Sequence, residues 1–383
     1  MVASWLAGCA SVDVPPIGDQ GKPFRPDPDE LSLWSEAQKE EEQLARTGKA
    51  LDDPRLQEYL SGLAARLLPP RAQAAGAPPI RIVVLRDPAL NAFSMPNGTV
   101  YIHTGFLARA GNEAQLATIL GHELSHVISR HALEFSRDTR SSQNLLTASH
   151  PLLSHGLDLA FIAAVNGFGR AREREADAEG MSRMVEAGYD PREAPRLFAL
   201  LGEDRGDSTR LETFFGNQGR LQERIASTQE LLSTRYASLD TGRLVRDTEQ
   251  FPLIMRVVVR DNALLDIHAG RFKLARAQLD RVLAQAPTDP VTHLCYGDLY
   301  RLQSQRARHL EDAPPLLARA REEYERAAAL DPAYADPFRQ LGLLYYQARD
   351  SGKAGEAFRR YLALRPGAPD AARIREYLVE LSR

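Results

Sequence analysis

A single pattern of five residues constrains this chain more than any other feature: positions 122–126 read H-E-L-S-H. The pattern lies in a segment, 112–130, in which apolar residues recur at steps of three and four, and this predicts an α-helix. On a helix His122 and His126 lie on one face, one turn apart, so both imidazoles can bind the same tetrahedral metal ion. Glu123 lies about 100° round the helix from His122. There it can take a proton from a water that the metal activates.

So short a pattern also occurs by chance, and the alternative is an exposed helix with two unrelated histidines. Three features favour the metal site. Gly121 and Ser125 keep one side of the helix narrow, the flanking residues are apolar enough for a buried helix, and an acidic motif follows at 172–180. We therefore treat His122 and His126 as candidate ligands of Zn²⁺, with the intervening glutamate as the candidate general base.

Length and composition indicate more than one globular domain. At 383 residues the chain is too long for one ordinary core, so two or more domains are expected. Hydrophobic residues make up 43% and charged residues 26%, as in a soluble globular protein. The formal net charge of −3 argues against nucleic acid as a partner. The chain has no run of about 18 apolar residues, so no membrane-spanning helix is expected.

The two cysteines have different sequence contexts. Cys295 lies in an apolar helical stretch and is predicted to be a core residue. Residues 6–9 read L-A-G-C, which resembles the bacterial lipobox, whose cysteine becomes the lipidated first residue; residues 10–29 are rich in Pro, Gly and Asp, as in a flexible tether. Only eight residues precede Cys9, without a basic region, so the alternatives are a truncated signal peptide, which we favour, and coincidence. The residue after the cysteine is Ala10 and not aspartate, which resembles the pattern of lipoproteins sorted to the outer membrane.

Helices and a small β-sheet are expected before the H-E-x-x-H helix. The predicted elements are helices at 31–48 and 53–68 and strands at 80–85, 91–94 and 99–102. Asn97-Gly98 is a strong hairpin signal between the last two strands. An exposed edge of this sheet beside the metal cleft could bind an extended peptide by strand addition. The polar segment 137–150 is predicted to be a mobile loop over the cleft.

The acidic motif at 172–180 supplies candidates for the rest of the site. Two histidines leave zinc in need of a third protein ligand and an open position, and a carboxylate from a second helix can be that ligand. Glu173 and Asp177 are four residues apart and share a helix face, whereas Glu175 points elsewhere and is the alternative ligand. A further carboxylate can orient one imidazole by accepting its N–H.

Together the two motifs resemble the HtpX/BepA-like family of gluzincin zinc metallopeptidases, which is related to the CAAX prenyl endopeptidases. The resemblance spans about 51–232 and includes the N-A-F, P-N-G and A-G-Y-D-P segments at 91–93, 96–98 and 187–191. It implies that Glu173 binds zinc and that Asp177 orients a ligating histidine. Because Asp177 shares a face with Glu173 and not with Glu175, we favour Glu173 as the ligand.

The chain departs from this family at one place. The resemblance implies a His-Pro pair about six residues before an arginine, which matches Arg224, but Gln218 occupies the histidine position and no proline follows. In the family that histidine approaches the metal, as an oxyanion partner or as a plug. The Gln218 amide can still donate a hydrogen bond. We therefore expect lower activity or weaker self-inhibition.

The remaining histidines of this half are given ordinary roles. His131 is expected to face away from the ligand pair, and His103 to end a strand. His150 and His155 lie near the predicted lid, where one of them could replace the missing histidine.

From residue 259 onward the pattern changes to repeated helical pairs. The residues Gly342, Tyr345, Ala354, Phe358 and Pro366 have the spacing of a tetratricopeptide repeat, and the same template matches Gly297, Tyr300, Ala320, Tyr324 and Pro332 with an 11-residue insertion. A degenerate unit precedes them and a capping helix follows at 370–381. The alternative is an ordinary helical bundle. Repeats of this kind present a concave surface to a protein partner or to the protease domain itself.

The sequence as a whole predicts an α+β, mainly α fold in three parts: a lipobox remnant and tether at 1–30, a zincin-type metallopeptidase domain at 31–250 and an all-α tetratricopeptide repeat domain at 259–383. The resemblance implies a periplasmic zinc endopeptidase, anchored to the outer membrane only by a lipid, that acts on misfolded or stalled envelope proteins. Its partners would be outer-membrane proteins or their assembly machinery. The alternatives are a chaperone or assembly adaptor with a latent zinc site, and a cytosolic peptidase without an anchor.

Overall fold

The computed structural model describes residues 14–18, 23–143, 168–203, 218–307 and 309–382. The chain divides into two compact units, Met1–Met255 and Arg256–Arg383. The first holds both sequence motifs and the second is entirely helical in its described part. The architecture is therefore the predicted α+β, mainly α one. Among the described residues, no helix combines the length and the apolarity needed to cross a bilayer.

The first unit begins with two predicted helices, α1 (Pro28–Arg46) and α2 (Pro54–Leu67). The side chain of Asp53 caps α2 by accepting hydrogen bonds from two backbone N–H groups of the first turn. The segment before α1 differs from the predicted flexible tether. Within the predicted flexible tether, Val14 and Ile17 are buried, and the Ile17 N–H donates to the carbonyl oxygen of Ile128 at 2.8 Å. This part of the tether packs because its two branched apolar side chains have a core to enter.

The sheet has three strands, β1 (Arg81–Leu85), β2 (Ala92–Ser94) and β3 (Thr99–His103), in the order β1-β3-β2. β1 runs parallel to β3, and β2 runs antiparallel to it. The predicted hairpin is present. Gly98 adopts a φ of 92°, and a Cβ there would lie 2.5 Å from the carbonyl oxygen of Pro79, so the turn requires glycine.

The H-E-x-x-H segment forms a fully buried helix at the centre of this unit. This helix is α4 (Glu113–Ile128). The other helices that follow the sheet in this unit are α3 (Thr104–Leu107), α5 (His131–Gln143), α6 (Arg170–Glu186), α7 (Glu193–Glu203) and α8 (Gln218–Ser233). The Asn112 side chain caps α4 by accepting a hydrogen bond from the Gln115 N–H. Every residue of α4 is buried, including its polar ones.

The loop predicted at 137–150 is wrong for its first half, because α5 extends to Gln143. Two described polar side chains of this stretch, Arg137 and Asp138, form ion pairs. Arg137 bonds to Asp27 and Asp29, and Asp138 bonds to Arg172. The charged residues that suggested a loop therefore belong to a helix, and their partners lie at the start of α1 and in the helix that carries Arg172. Residues 144–150 lie outside the described part of the chain.

The second unit consists of consecutive helical pairs. Its helices are α9 (Gln250–Ala269, which contains the division between the units), α10 (Phe272–Gln285), α11 (Pro290–Gln305), α12 (Ala313–Leu330), α13 (Ala335–Gln347), α14 (Ser351–Leu364) and α15 (Ala371–Leu381). Within two pairs a glycine meets an aromatic ring: a Cβ at Gly297 would lie 2.2 Å from Tyr324, and one at Gly342 would lie 2.4 Å from Phe358. These close approaches suit the predicted repeat template. Cys295 is buried in this core, as predicted.

Candidate metal centre

Three side chains of the first unit converge on one point. His122 Nε2 lies 3.0 Å from His126 Nε2, and Glu173 Oε2 lies 3.4 Å from His122 Nε2. Glu173 Oε1 lies 3.7 Å from His126 Nε2. Among the described residues, these three form the one group of His, Cys, Asp and Glu that could hold a metal ion.

The close packing of α4 against α6 brings the glutamate to the histidines. A Cβ at Gly180 of α6 would lie 2.9 Å from the His122 backbone nitrogen, so the two backbones touch here. About two turns before Gly180, Glu173 reaches across to the imidazoles. The backbone N–H of Phe168 donates to Glu173 Oε1 at 3.2 Å and helps to hold the carboxylate.

The spacing of these atoms fits zinc. With bonds of about 2.0–2.1 Å, ligands at the corners of a tetrahedron lie about 3.3 Å apart, close to the separations of 3.0, 3.4 and 3.7 Å seen here. Two neutral imidazoles and a carboxylate are also the ligand types of catalytic zinc sites that keep a fourth position open. Burial favours the neutral form of His126 and lowers its pKa, despite the nearby Glu173 charge.

A buried ion pair lies behind His122. Asp177 Oδ1 lies 2.9 Å from His122 Nδ1, on the far side of the ring from the converging Nε2. Arg224 donates to both oxygens of Asp177, at 3.0 and 2.5 Å, and its guanidinium lies 4.2 Å above the Phe198 ring. Burial alone would raise the pKa of Asp177, but the Arg224 charge and the hydrogen bonds outweigh it, so the pKa is lowered. Asp177 is thus an anion that can accept a hydrogen bond from the Nδ1–H of His122.

Glu123 lies in a different environment from the three converging residues. Its side chain is buried, and its Oε1 has no hydrogen-bond partner among the described residues. Burial raises its pKa to about 7, while a hydrogen bond with Ser94 of β2 acts in the opposite direction. A buried carboxylate with an unsatisfied oxygen is costly unless another group uses it, and its position beside the ligand pair suits a proton carrier.

The alternative ligand, Glu175, is not part of the converging group. Its side chain is half exposed, and its Oε2 lies 3.6 Å from His131 Nε2. Three other candidates, Cys9, His150 and His155, lie outside the described residues. Gln218 begins α8, and its side chain is also outside the described part. Arg224, suggested as an oxyanion or switch position, forms an ion pair with Asp177, and its guanidinium also lies 3.0 Å from His122 Nδ1.

The expectation for His131 was wrong. Its Nδ1 lies 2.8 Å from His126 Nδ1, and its side chain is buried. On one continuous helix, a residue five positions after His126 would lie about 140° away from it. In the structure α4 ends at Ile128 and Arg130 adopts a φ of 59°, so the chain turns and α5 brings His131 back. A φ in this region is rare for a residue other than glycine. No local sequence pattern predicted the turn at Arg130.

A buried helix with H-E-x-x-H and a carboxylate from a second helix, next to a small sheet, defines the class of zinc metallopeptidases. The sequence pattern of peptidase family M48 matches residues 50–241, which is half of the chain, and the chain belongs to this family.

Curated relatives are similar to the same part. A putative beta-barrel assembly-enhancing protease of Vibrio cholerae is 30% identical over 168 residues, which cover 40% of this chain and 34% of the relative. The mitochondrial metalloendopeptidase OMA1 of Schizosaccharomyces pombe is 30% identical over 176 residues, 43% of this chain and 50% of the relative. The beta-barrel assembly-enhancing protease of Escherichia coli is 28% identical over 182 residues, 44% and 37% of the two chains. The matched region thus spans half or less of each relative.

Proposed function

We propose that this chain is a zinc-dependent endopeptidase in which His122, His126 and Glu173 hold one catalytic zinc ion. The observation that carries the proposal is the convergence of three donor atoms at tetrahedral spacing, beside a buried glutamate with an unsatisfied oxygen. Membership of peptidase family M48 supports the same activity. Asp177 orients His122, and Arg224 in turn holds Asp177.

The reaction is the hydrolysis of a peptide bond, in which a C–O bond forms and the C–N bond breaks. Bound zinc would supply a Lewis acid that polarises the scissile carbonyl and acidifies the attacking water. Glu123 accepts a proton from that water and delivers it to the leaving amine nitrogen. Its buried position suits both steps, because a carboxylate whose pKa lies near neutrality can accept and donate at physiological pH.

An extended polypeptide is the substrate that the sheet favours. β2 is one of the two outer strands of the sheet, and among the described residues it pairs with β3 alone. Ser94 of this strand bonds to Glu123, so the outer edge of β2 borders the proton carrier. All three residues of β2 are buried. A substrate strand added along this edge would bring its backbone past the site.

The names of two relatives support a proposal for the biological substrate and its location. Both are named beta-barrel assembly-enhancing proteases, which supports β-barrel proteins or their assembly machinery as substrates or partners. We extend the proposal to outer-membrane proteins and to quality control within the periplasm. The helical pairs of the second unit would act as tetratricopeptide repeats that recruit such proteins. Cys9 would carry the lipid that anchors the chain to the outer membrane. Mass spectrometry of Cys9 in the native protein tests the anchor, because an unmodified thiol would exclude it.

A second candidate is an assembly adaptor whose zinc site is latent. The feature that favours it is Gln218 at the position where the family has histidine. A cellular test separates the two. If Glu123→Gln abolishes the cellular role, the role is proteolytic, and if the role persists, the adaptor function is supported.

The central experiment combines zinc analysis with proteolysis of an unfolded protein such as reduced casein. Wild type and Glu123→Gln should each bind one zinc per chain, whereas the variant should cleave about 10²- to 10⁴-fold more slowly. Glu58→Gln, an exposed change on α2, is the matched control and should cleave like wild type. Wild type without stoichiometric zinc, or a Glu123→Gln variant as fast as wild type, would contradict the proposal.

A further inference from the structure

His131 and His126 are in direct contact behind the metal centre. Their Nδ1 atoms lie 2.8 Å apart, and the two rings are inclined at 71°. His131 is only 1% exposed, and the Phe168 ring packs against both imidazoles, at 4.8 Å from His126 and 6.3 Å from His131. The contact is therefore shielded from water on that side. Hydrophobic packing alone would not require the two nitrogens to meet.

The direction of this hydrogen bond follows from the ligand role of His126, so the inference rests on the proposed function. Nε2 of His126 lies among the converging atoms and must keep its lone pair to bind zinc. The ring proton then lies on Nδ1 of His126, which donates to Nδ1 of His131. The remaining proton of a neutral His131 lies on its Nε2, which lies 3.6 Å from Glu175 Oε2.

We propose that His131 is a positioning residue for the metal centre, which fixes the tautomer and the ring orientation of His126 by accepting its Nδ1–H. The two ligating histidines are then held in different ways. His122 contacts the anionic Asp177, which a buried arginine neutralises, whereas His126 contacts a neutral imidazole. Partners of this kind orient a ligand and raise its affinity for the metal.

Two variants test the role of the acceptor. His131→Phe keeps a ring of similar size but removes the acceptor, so the His126 Nδ1–H is left buried without a partner. His131→Asn places its side-chain oxygen close to the position of Nδ1. Competition with a zinc chelator should show zinc binding about 10- to 100-fold weaker in His131→Phe, with most of the loss restored in His131→Asn.

The outcomes separate this inference from the proposed function. If His131→Phe binds zinc within about twofold of wild type, or if a folded His131→Asn binds no better than His131→Phe, the positioning role is wrong. If wild type binds no zinc, or if His126→Ala binds it as tightly as wild type, the proposed site itself is wrong. A purely structural role for His131 predicts that zinc affinity follows the thermal stability of the metal-free variants, and not the presence of an acceptor.

The wild-type protein provides a measurement that does not depend on the folding of any variant. Nitrogen-15 NMR of the imidazoles in the zinc-loaded full chain should show the proton of His126 on Nδ1 and that of His131 on Nε2. A His131 ring protonated on Nδ1 would overturn the proposal, because it could not accept the hydrogen bond.

Discussion

Gly121 of α4 and Gly180 of α6 meet back to back, so that the helices touch through their backbones. A Cβ at Gly121 would lie 3.0 Å from the Gly180 carbonyl oxygen, and a Cβ at Gly180 would lie 3.0 Å from the Gly121 carbonyl carbon. Neither clash can be relieved by turning a side chain, because the opposing atoms belong to the backbone. The contact sets the distance at which Glu173 approaches the two histidines.

The substitution Gly180→Ala should therefore damage the metal site from a distance. The added methyl group must push α6 away from α4, which we expect to cost about 1–3 kcal/mol of unfolding free energy and to weaken zinc binding. Urea denaturation and chelator competition measure the two effects. Gly62→Ala on α2 is the matched control, since its Cβ meets nothing within 4 Å; it should stabilise the protein by up to about 1 kcal/mol. Unchanged zinc affinity in Gly180→Ala would contradict the role of the contact.

The choice between the two candidate glutamate ligands can be tested by a pair of matched substitutions. Glu173→Gln replaces a converging carboxylate by a poorer zinc ligand, and we expect a large loss of zinc affinity. Glu175→Gln changes a half-exposed side chain outside the cluster and should have a much smaller effect. Competition with a chelator measures the zinc affinity of both variants. An equal loss of affinity in the two would contradict the assignment of Glu173 as the third ligand.

The ion pair between Asp177 and Arg224 should contribute to stability as well as to the site. Asp177→Asn leaves the Arg224 charge buried without its partner, which we expect to cost about 3–5 kcal/mol. Urea denaturation of the metal-free protein measures this cost without the contribution of zinc. The double variant Asp177→Asn/Arg224→Met removes the unpaired charge and should recover part of the loss. If the double variant is no more stable than the single one, the cost has another origin.

Stability should depend on pH through Glu113, the first residue of α4. Its buried carboxylate accepts hydrogen bonds from Tyr59 at 2.6 Å, Tyr189 at 2.5 Å and Arg66 at 3.0 Å. Burial acts to raise its pKa, but these bonds and one from Thr248 outweigh it, so the folded-state pKa lies below 4.5. The contribution to stability is thus complete above the unfolded-state pKa of about 4.5 and disappears as pH falls through the lower folded-state value.

Glu113→Gln makes this contribution measurable. The variant should be less stable than wild type by about 1–3 kcal/mol at pH 7, and the difference should shrink as the pH is lowered below about 4.5. Urea denaturation of both proteins at several pH values gives the difference directly, and the other carboxyl groups cancel from it. A difference that stays constant or grows towards acid pH would contradict the assigned shift.

The local elements were predictable from the sequence because each depends on neighbouring residues. Apolar spacing indicated α4, Asn97-Gly98 indicated the hairpin, and the four-residue step from Glu173 to Asp177 identified the face of α6 that turns towards the histidines. Gly121 and Ser125 marked the narrow side of α4. That side proved to be the one in contact with α6, where the Ser125 hydroxyl also accepts a hydrogen bond from Arg183 at 3.1 Å.

The contacts made across the fold were not predictable in this way. The polar stretch in the second half of α5 suggested a loop, because its ion-pair partners lie far away in the chain at Asp27, Asp29 and Arg172. His131 appeared remote from the site, because the turn at Arg130 has no local pattern.

Periodicity in a sequence thus reported which residue types share a helix face, and therefore which side chains could bind a metal. The crossing of α4 and α6 and the break before α5 determined which side chain contacts the Nδ1 atom of each ligating histidine. A helical repeat records direction about its own axis only, whereas the distance and angle between two helices depend on the packing of every side chain between them.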